Sequence, residues 1–125
     1  MLRFVYKVLP VWVRYVGEGQ VKSGFAGYCY GPYVKILESY KDDIGLVEHE
    51  LTHSRQVYRT FFLMGLIYMM SSKYRYKCEL EAYAVQLSYA EEKDRDRLAR
   101  LFAGFMANKY NLDVDREETR QDLLT

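Results

Sequence analysis

Apolar and polar residues alternate imperfectly along residues 3–16, RFVYKVLPVWVRYV, and Val, Tyr and Phe take many of the apolar positions. A two-residue period built from β-branched and aromatic side chains predicts half-buried strands. Pro10 removes a ladder donor inside this run, which predicts an edge position, a bulge or two shorter strands. Gly17-Glu18-Gly19 predicts a turn. The glycines and the Gly31-Pro32 pair of VKSGFAGYCYGPYVKIL predict short strands joined by turns. The expected product is a small antiparallel sheet over about residues 3–38.

From about residue 42 the pattern is helical. Asp42 or Asp43 can cap a helix running to about Arg59, amphipathic through Leu46, Val47, Leu51 and Val57. The longest uncharged apolar run is FFLMGLIYMM, Phe61 to Met70, which is too short to cross a bilayer as a helix. It predicts a second helical stretch buried in the core, with interfacial membrane contact as the other reading. SSKYRYK reads as a polar, basic connector. A third helix is expected from near Lys77 through CELEAYAVQLSYAEE. A fourth is expected in DRDRLARLFAGFMANKY, where Leu98, Leu101, Phe102, Phe105 and Met106 fall at helical spacing and make either a core stripe or a protein-docking face. Asp115 with Glu118 three later has the form of a capping box for a short last helix. Sheet first and helices after is an α+β arrangement, read as a single domain over residues 1–125.

Composition narrows this little. Half the residues are apolar and 28% charged, which is ordinary for a globular chain. A net charge of +1 provides no global field for nucleic acid or an acidic membrane. KYRYK, residues 73–77, interleaves basic and aromatic side chains as a nucleic-acid site does. Glu79 and Glu81 follow at once, so a solvated connector is the better reading and no nucleic-acid partner is expected. Cys29 and Cys78 are too few for a disulfide framework and read as buried thiols in a reducing compartment. Lys7, Pro10 and Arg14 interrupt the N-terminal apolar character, so no signal peptide and an intracellular, cytoplasmic setting are expected.

Chemistry concentrates in LVEHELTHSRQ, residues 46–56, which holds both histidines of the chain. Residues four apart on a helix are stacked on one face, so His49 and His53 aim at a common point. Neutral imidazoles so placed fit adjacent corners of a tetrahedral zinc site. Glu50 lies about 100° round the helix from His49, beside the metal without having to bind it. There it can act as general base, which is the mechanical content of H-E-x-x-H. Such a site needs a third ligand, and no third histidine exists. Glu79 and Glu81 are the best carboxylates. The apolar side of their helix, Leu80, Tyr83, Leu87 and Ala90, lies beside Glu79 and roughly opposite Glu81, which favours Glu79.

HELTH followed, 26 positions after His53, by Glu79-Leu80-Glu81-Ala82-Tyr83 resembles the gluzincin metallopeptidases, and among them the compact single-domain kind, over roughly residues 44–90. The resemblance implies a zincin-like core with an H-E-x-x-H helix and a glutamate helix. It implies Zn2+ held by His49, His53 and Glu79, with Glu50 as general base in the hydrolysis of a peptide or protein substrate. It also implies a bacterial or bacteriophage source. Tyr83 stands where the family often carries an acid or amide that supports a zinc-bound histidine. Tyr83 or Gln86 is the expected substitute, and Tyr74, Arg75 and Tyr76 are near enough in sequence to steady an oxyanion. GYCYGPYVKIL could supply an edge strand for an extended peptide. The other reading is a zinc-bearing structural or protein-interaction module without turnover.

Overall fold

The computed structural model describes residues 1–125. Strands β1 (Leu2–Val5), β2 (Leu9–Val16), β3 (Gly27–Tyr30) and β4 (Tyr33–Leu37) precede helices α1 (Ile44–Arg59), α2 (Met64–Met70), α3 (Ser72–Ser88), α4 (Arg95–Lys109) and α5 (Arg116–Leu124). The fold is α+β, sheet first and helices after.

The sheet order is β1-β2-β4-β3, and it is not wholly antiparallel as expected. β1–β2 and β3–β4 are antiparallel, but β2 and β4 run parallel. The long connection from residue 17 to residue 26 carries the chain past the edge of β2 instead of folding straight back onto it. β3 therefore lands one strand-width out, and the tight turn at Gly31, with φ of +61°, returns β4 into the gap. The central slot thus goes to Val34, Ile36 and Leu37, all buried, and the glycine-bearing β3 is left at the edge. The run that contains Pro10 is two strands. Tyr6 and Lys7, in left-handed conformation, make the break. Pro10 pairs opposite Phe4, ahead of the Trp12–Val16 stretch that meets β4, so its missing N–H interrupts no ladder there.

Asp43 caps α1 by accepting from the Leu46 N–H. Val47 and Leu51 pack on Val11, Val13, Val34 and Ile36 of the sheet. At 3.6 residues per turn His49 lies about 200° from Val47, so docking the apolar side on the sheet turns the imidazoles toward α3 on the far side. There Gly45 lets the helices close: a Cβ would fall 3.1 Å from the backbone oxygen of Gln86. A second core joins α3 to α4 and α5 through Tyr83, Leu87, Phe102, Ala103, Met106 and Leu123; of the stripe expected on α4, Phe102 and Met106 are core, Leu98 and Phe105 are partly buried against it, and Leu101 is exposed. Asp115 caps α5 by accepting from the N–H groups of Glu117 and Glu118; the cap forms as expected, but the Glu118 side chain does not complete the reciprocal half of the box.

Two further expectations fail. SSKYRYK is not a connector. Ser71 caps the helix by accepting from the Tyr74 N–H, and α3 begins at Ser72. The segment looked like loop because its first turns are solvated, but a serine cap followed by long side chains is an adequate helix start. Nor is Phe61–Met70 a core segment. Only Met64 is fully buried, whereas Phe61, Met69 and Met70 are 87%, 80% and 79% exposed. α1 ends in a Schellman arrangement, with Phe62 N–H on Val57 O and Phe61 N–H on Tyr58 O. This puts Phe61, φ +52°, where glycine normally sits. The seven residues of α2 then bridge α1 to α3, and so short a helix has only one side to bury.

Two of the three helical glycines, Gly45 and Gly65, are expected to respond oppositely to alanine. Gly45→Ala should cost about 1–3 kcal/mol through the clash with Gln86. Gly65→Ala, with nothing within 4 Å of the added carbon, should gain about 0.5–1 kcal/mol from helix propensity. Midpoints of urea unfolding check both signs.

Candidate metal centre

α1 and α3 run side by side, and the facing residues pair in register: Gly45 with Gln86, His49 with Tyr83, His53 with Glu79. Nε2 of His53 lies 3.3 Å, and Nε2 of His49 3.7 Å, from Glu79 Oε1. One ligand atom from each of the three lies within 4.8 Å of the others, and all three residues are buried. A tetrahedral cation with ligands at about 2.0–2.1 Å sets neighbouring ligand atoms about 3.3 Å apart. Glu79 Oε1 is buried and accepts no hydrogen bond, although two imidazole nitrogens stand beside it. An orphaned carboxylate oxygen facing two nitrogens at these separations fits a metal ion between them. His49, His53 and Glu79 could therefore hold a metal ion.

The other carboxylate oxygen is fixed by a residue that sequence reasoning passed over. Tyr68 of α2 donates its hydroxyl to Glu79 Oε2 at 2.6 Å, leaving Oε1 as the free ligand atom. His53 is oriented by another such residue. Gln56 donates its amide to Cys78 O at 3.0 Å and to Glu81 Oε1 at 2.7 Å, so its own oxygen must be the acceptor that faces His53 Nδ1 at 2.8 Å. In the neutral ring the proton of His53 then sits on Nδ1, which leaves the Nε2 lone pair for a metal. Glu81 is held in turn by Arg59 at 2.9 Å. Glu81 thus lies outside the three-residue group and holds Gln56. Gln56 stands three residues after His53, a spacing that brings it to the same helix face, and this was the available signal.

The residues expected to support a histidine do otherwise. Tyr83 packs its ring edge-on to His49 with centroids 4.4 Å apart, and its hydroxyl shares a 2.6 Å hydrogen bond with Tyr110. Gln86 Oε1 and His49 Nδ1 are both buried without a partner. Arg75 is tied to the carbonyls of Tyr68 and Asn111, and Tyr76 to Asp122. Cys78 lies outside the ligand set, and both cysteines are free thiols.

Glu50 is beside the cage but not in it. It borders a cleft of about 720 Å³ together with His49, Tyr83 and Tyr110, with the β3 side and α4 as its walls. Tyr74, Arg75 and Tyr76 do not line it. Gly27 makes room for Glu50, since a Cβ there would stand 3.1 Å from Glu50 Cγ. Burial pushes the Glu50 carboxyl above its ordinary value, against the pull of His49 and His53, and the Glu79 carboxylate adds to the rise. Burial alone would also raise Glu79, but His53 and His49 hold it well below the usual carboxylate range. Burial alone would lower His53, yet the Glu79 carboxylate raises it to about 10.

Ligand identity is tested by metal content of the purified protein. Glu79→Gln should lose the metal. Glu81→Ala should keep the stoichiometry and weaken affinity about 10–100-fold through Gln56.

The metal-free protein should also melt in a characteristic way with pH. The raised His53 contributes stability that is complete below 6.5 and lost as pH rises through about 10. The lowered Glu79 contributes stability that is present above 4.5 and lost in acid. Without metal the melting temperature should therefore be highest between these values and fall toward alkaline pH. The increment added by Zn2+ should grow with pH over the same range, because protons no longer compete for the imidazoles. Thermal melts with and without Zn2+ check both slopes.

No helix is long and apolar enough to cross a membrane. Comparison of the chain with protein-family models, with curated proteins and with solved structures finds no match.

Proposed function

We propose that the protein is a zinc-dependent peptidase of the gluzincin kind, acting on a peptide or protein chain. The observation that carries the proposal is the position of Glu50, outside the His49–His53–Glu79 group and in the lining of a cleft large enough for several residues of substrate. A buried glutamate is costly, and a purely structural metal site has no use for one beside its ligands. Two imidazoles and one carboxylate are a zinc donor set, and three protein ligands without a fourth leave one corner free. When bound, Zn2+ supplies a Lewis acid that polarises a carbonyl and makes water nucleophilic near neutral pH.

The chain's own residues then divide the work. Glu50 draws the proton from the attacking water and returns it to the departing amide nitrogen, and its raised pKa suits both directions of transfer. Tyr68 and Gln56 hold Glu79 and His53 in the geometry that binding needs. β3 has a partner strand on one side only, and Gly27 at its start lines the cleft. An extended peptide lying along that edge would pair with the backbone of β3 and bring an amide to Glu50. Phe102 and Phe105 form part of the opposite wall, which favours an apolar side chain on that face of the substrate.

Glu50→Gln is expected to keep one Zn2+ per chain while cleavage of an unstructured protein such as casein falls by about 10²–10⁴-fold. Chelation should abolish the wild-type activity and Zn2+ restore it. A fully zinc-loaded wild-type protein that cleaves nothing, or an unchanged rate in Glu50→Gln, would leave the structural zinc module as the reading.

A further inference from the structure

The most exposed apolar surface lies away from the cleft. It is made by the α1–α2 turn, Phe61 to Leu63, and the outer side of α2, Leu66, Met69 and Met70, each more than half exposed. On the helical wheel Met64, Ile67 and Tyr68 share the inner arc, and Leu66, Met69 and Met70 the outer one. α2 is therefore apolar on both sides, and one side has nothing packed on it. Such a contiguous patch marks a contact surface more often than a chance exposure.

Charge indicates what that contact is. From Leu51 to Cys78 the chain has no Asp or Glu, but it carries Arg55, Arg59, Lys73, Arg75 and Lys77. Arg55 and Arg59 pair with Glu48 and Glu81. Arg75 bonds only backbone carbonyls and keeps its charge. Lys73 and Lys77 are exposed one turn apart on the first turns of α3, directly after Met70. The protein as a whole is nearly neutral, so this positive field is local to the apolar patch. Apolar side chains flanked by unpaired lysines complement an anionic bilayer surface, where the lysines meet phosphates and the apolar chains enter the acyl boundary. A symmetric contact between two copies would bring no acidic side chain of this stretch to face the lysines, since residues 51–78 hold none. The apolar chains also stand on a turn and a helix flank, outside the cleft, which suits a fluid surface better than a shaped pocket.

We infer that the α1–α2 turn and the outer side of α2 dock on the surface of an anionic phospholipid bilayer, with Phe61, Leu66, Met69 and Met70 inserted and Lys73 and Lys77 on the headgroups. The inference is independent of hydrolysis. It nonetheless places at the membrane the helix whose inner side supplies Tyr68 to Glu79.

Sedimentation with vesicles of phosphatidylcholine alone, or of phosphatidylcholine and phosphatidylglycerol in equal parts, tests it. Binding should be about tenfold or more stronger to the anionic vesicles and fall with added salt. Lys73→Glu with Lys77→Glu should remove that preference. Leu66→Ser with Met69→Ser and Met70→Ser should cut binding about tenfold or more at unchanged metal content. Phe61→Gly gives a separate readout: it should weaken vesicle binding while raising the melting temperature, because glycine suits the left-handed position. A purely structural role would lower the melting temperature instead. The inference is overturned by equal binding to both vesicle types, by no binding to either, or by binding that the apolar substitutions leave unchanged. It is also overturned if sedimentation without lipid shows a dimer that these substitutions dissolve.

Discussion

A carboxylate removed from water between two imidazoles is the constraint around which this protein is arranged. Glu79 is 2% exposed, and an isolated charge so deeply buried would be strongly disfavoured. Only a cation or protons on the neighbouring rings can balance it, and in their absence the site would not hold together. One oxygen is satisfied by Tyr68, and the other faces His49 and His53 with no hydrogen bond of its own. Buried ion pairs stabilise weakly against an apolar alternative. The arrangement is therefore better understood as a binding site whose ligand atoms are set in advance than as a device for stability.

That site follows from the helical period acting on one segment. Val47 and Leu51 must go to the sheet, since nothing else covers its apolar face. His49 and His53 then point away from the sheet, and the first element beyond them is α3. Gly45 lets the two backbones close near one end, while Gln56, reaching Cys78 O and Glu81, ties them near the other. Glu50, a third of a turn from His49, is carried back toward the sheet edge, where the bare backbone of Gly27 leaves space for it. One helix thus delivers two imidazoles to α3 and a buried carboxyl to the cleft.

Much of this was legible because periodicity and short-range chemistry are local. The sheet-then-helix order, the Asp43 and Asp115 caps, the paired histidines and the preference for Glu79 over Glu81 all follow from spacing along the chain. What escaped was non-local or ambiguous. The parallel β2–β4 pairing depends on where a ten-residue connection sets β3 down, which strand patterns do not encode. Tyr68 reaches Glu79 from a different helix, so no spacing relates them. Gln56 was within reach of the H-E-x-x-H frame, but its role appears only when both ends of its amide are assigned. SSKYRYK and Phe61–Met70 depart from expectation for one reason: in a short element at the surface, polarity does not imply loop and apolarity does not imply core.

The exposure of Phe61–Met70 has an energetic side. Two consecutive phenylalanines hold left-handed backbone, at φ of 52° and 68°, which costs roughly 1–2 kcal/mol per residue relative to ordinary helix. The Schellman bonds to Tyr58 and Val57 return part of this, but glycine would gain the same bonds without the penalty. Burying the rings is the usual compensation for an aromatic side chain at a strained position, and Phe61 is almost wholly in water. Phe62 packs edge-on against Tyr58, but the cost at Phe61 is not offset by burial of its ring. A surface able to take up the Phe61 ring supplies the missing free energy, and a bilayer beside Lys73 and Lys77 is such a surface. The strain at the end of α1 and the uncovered side of α2 are then two aspects of one contact. That contact reaches the buried carboxylate through the width of a single short helix.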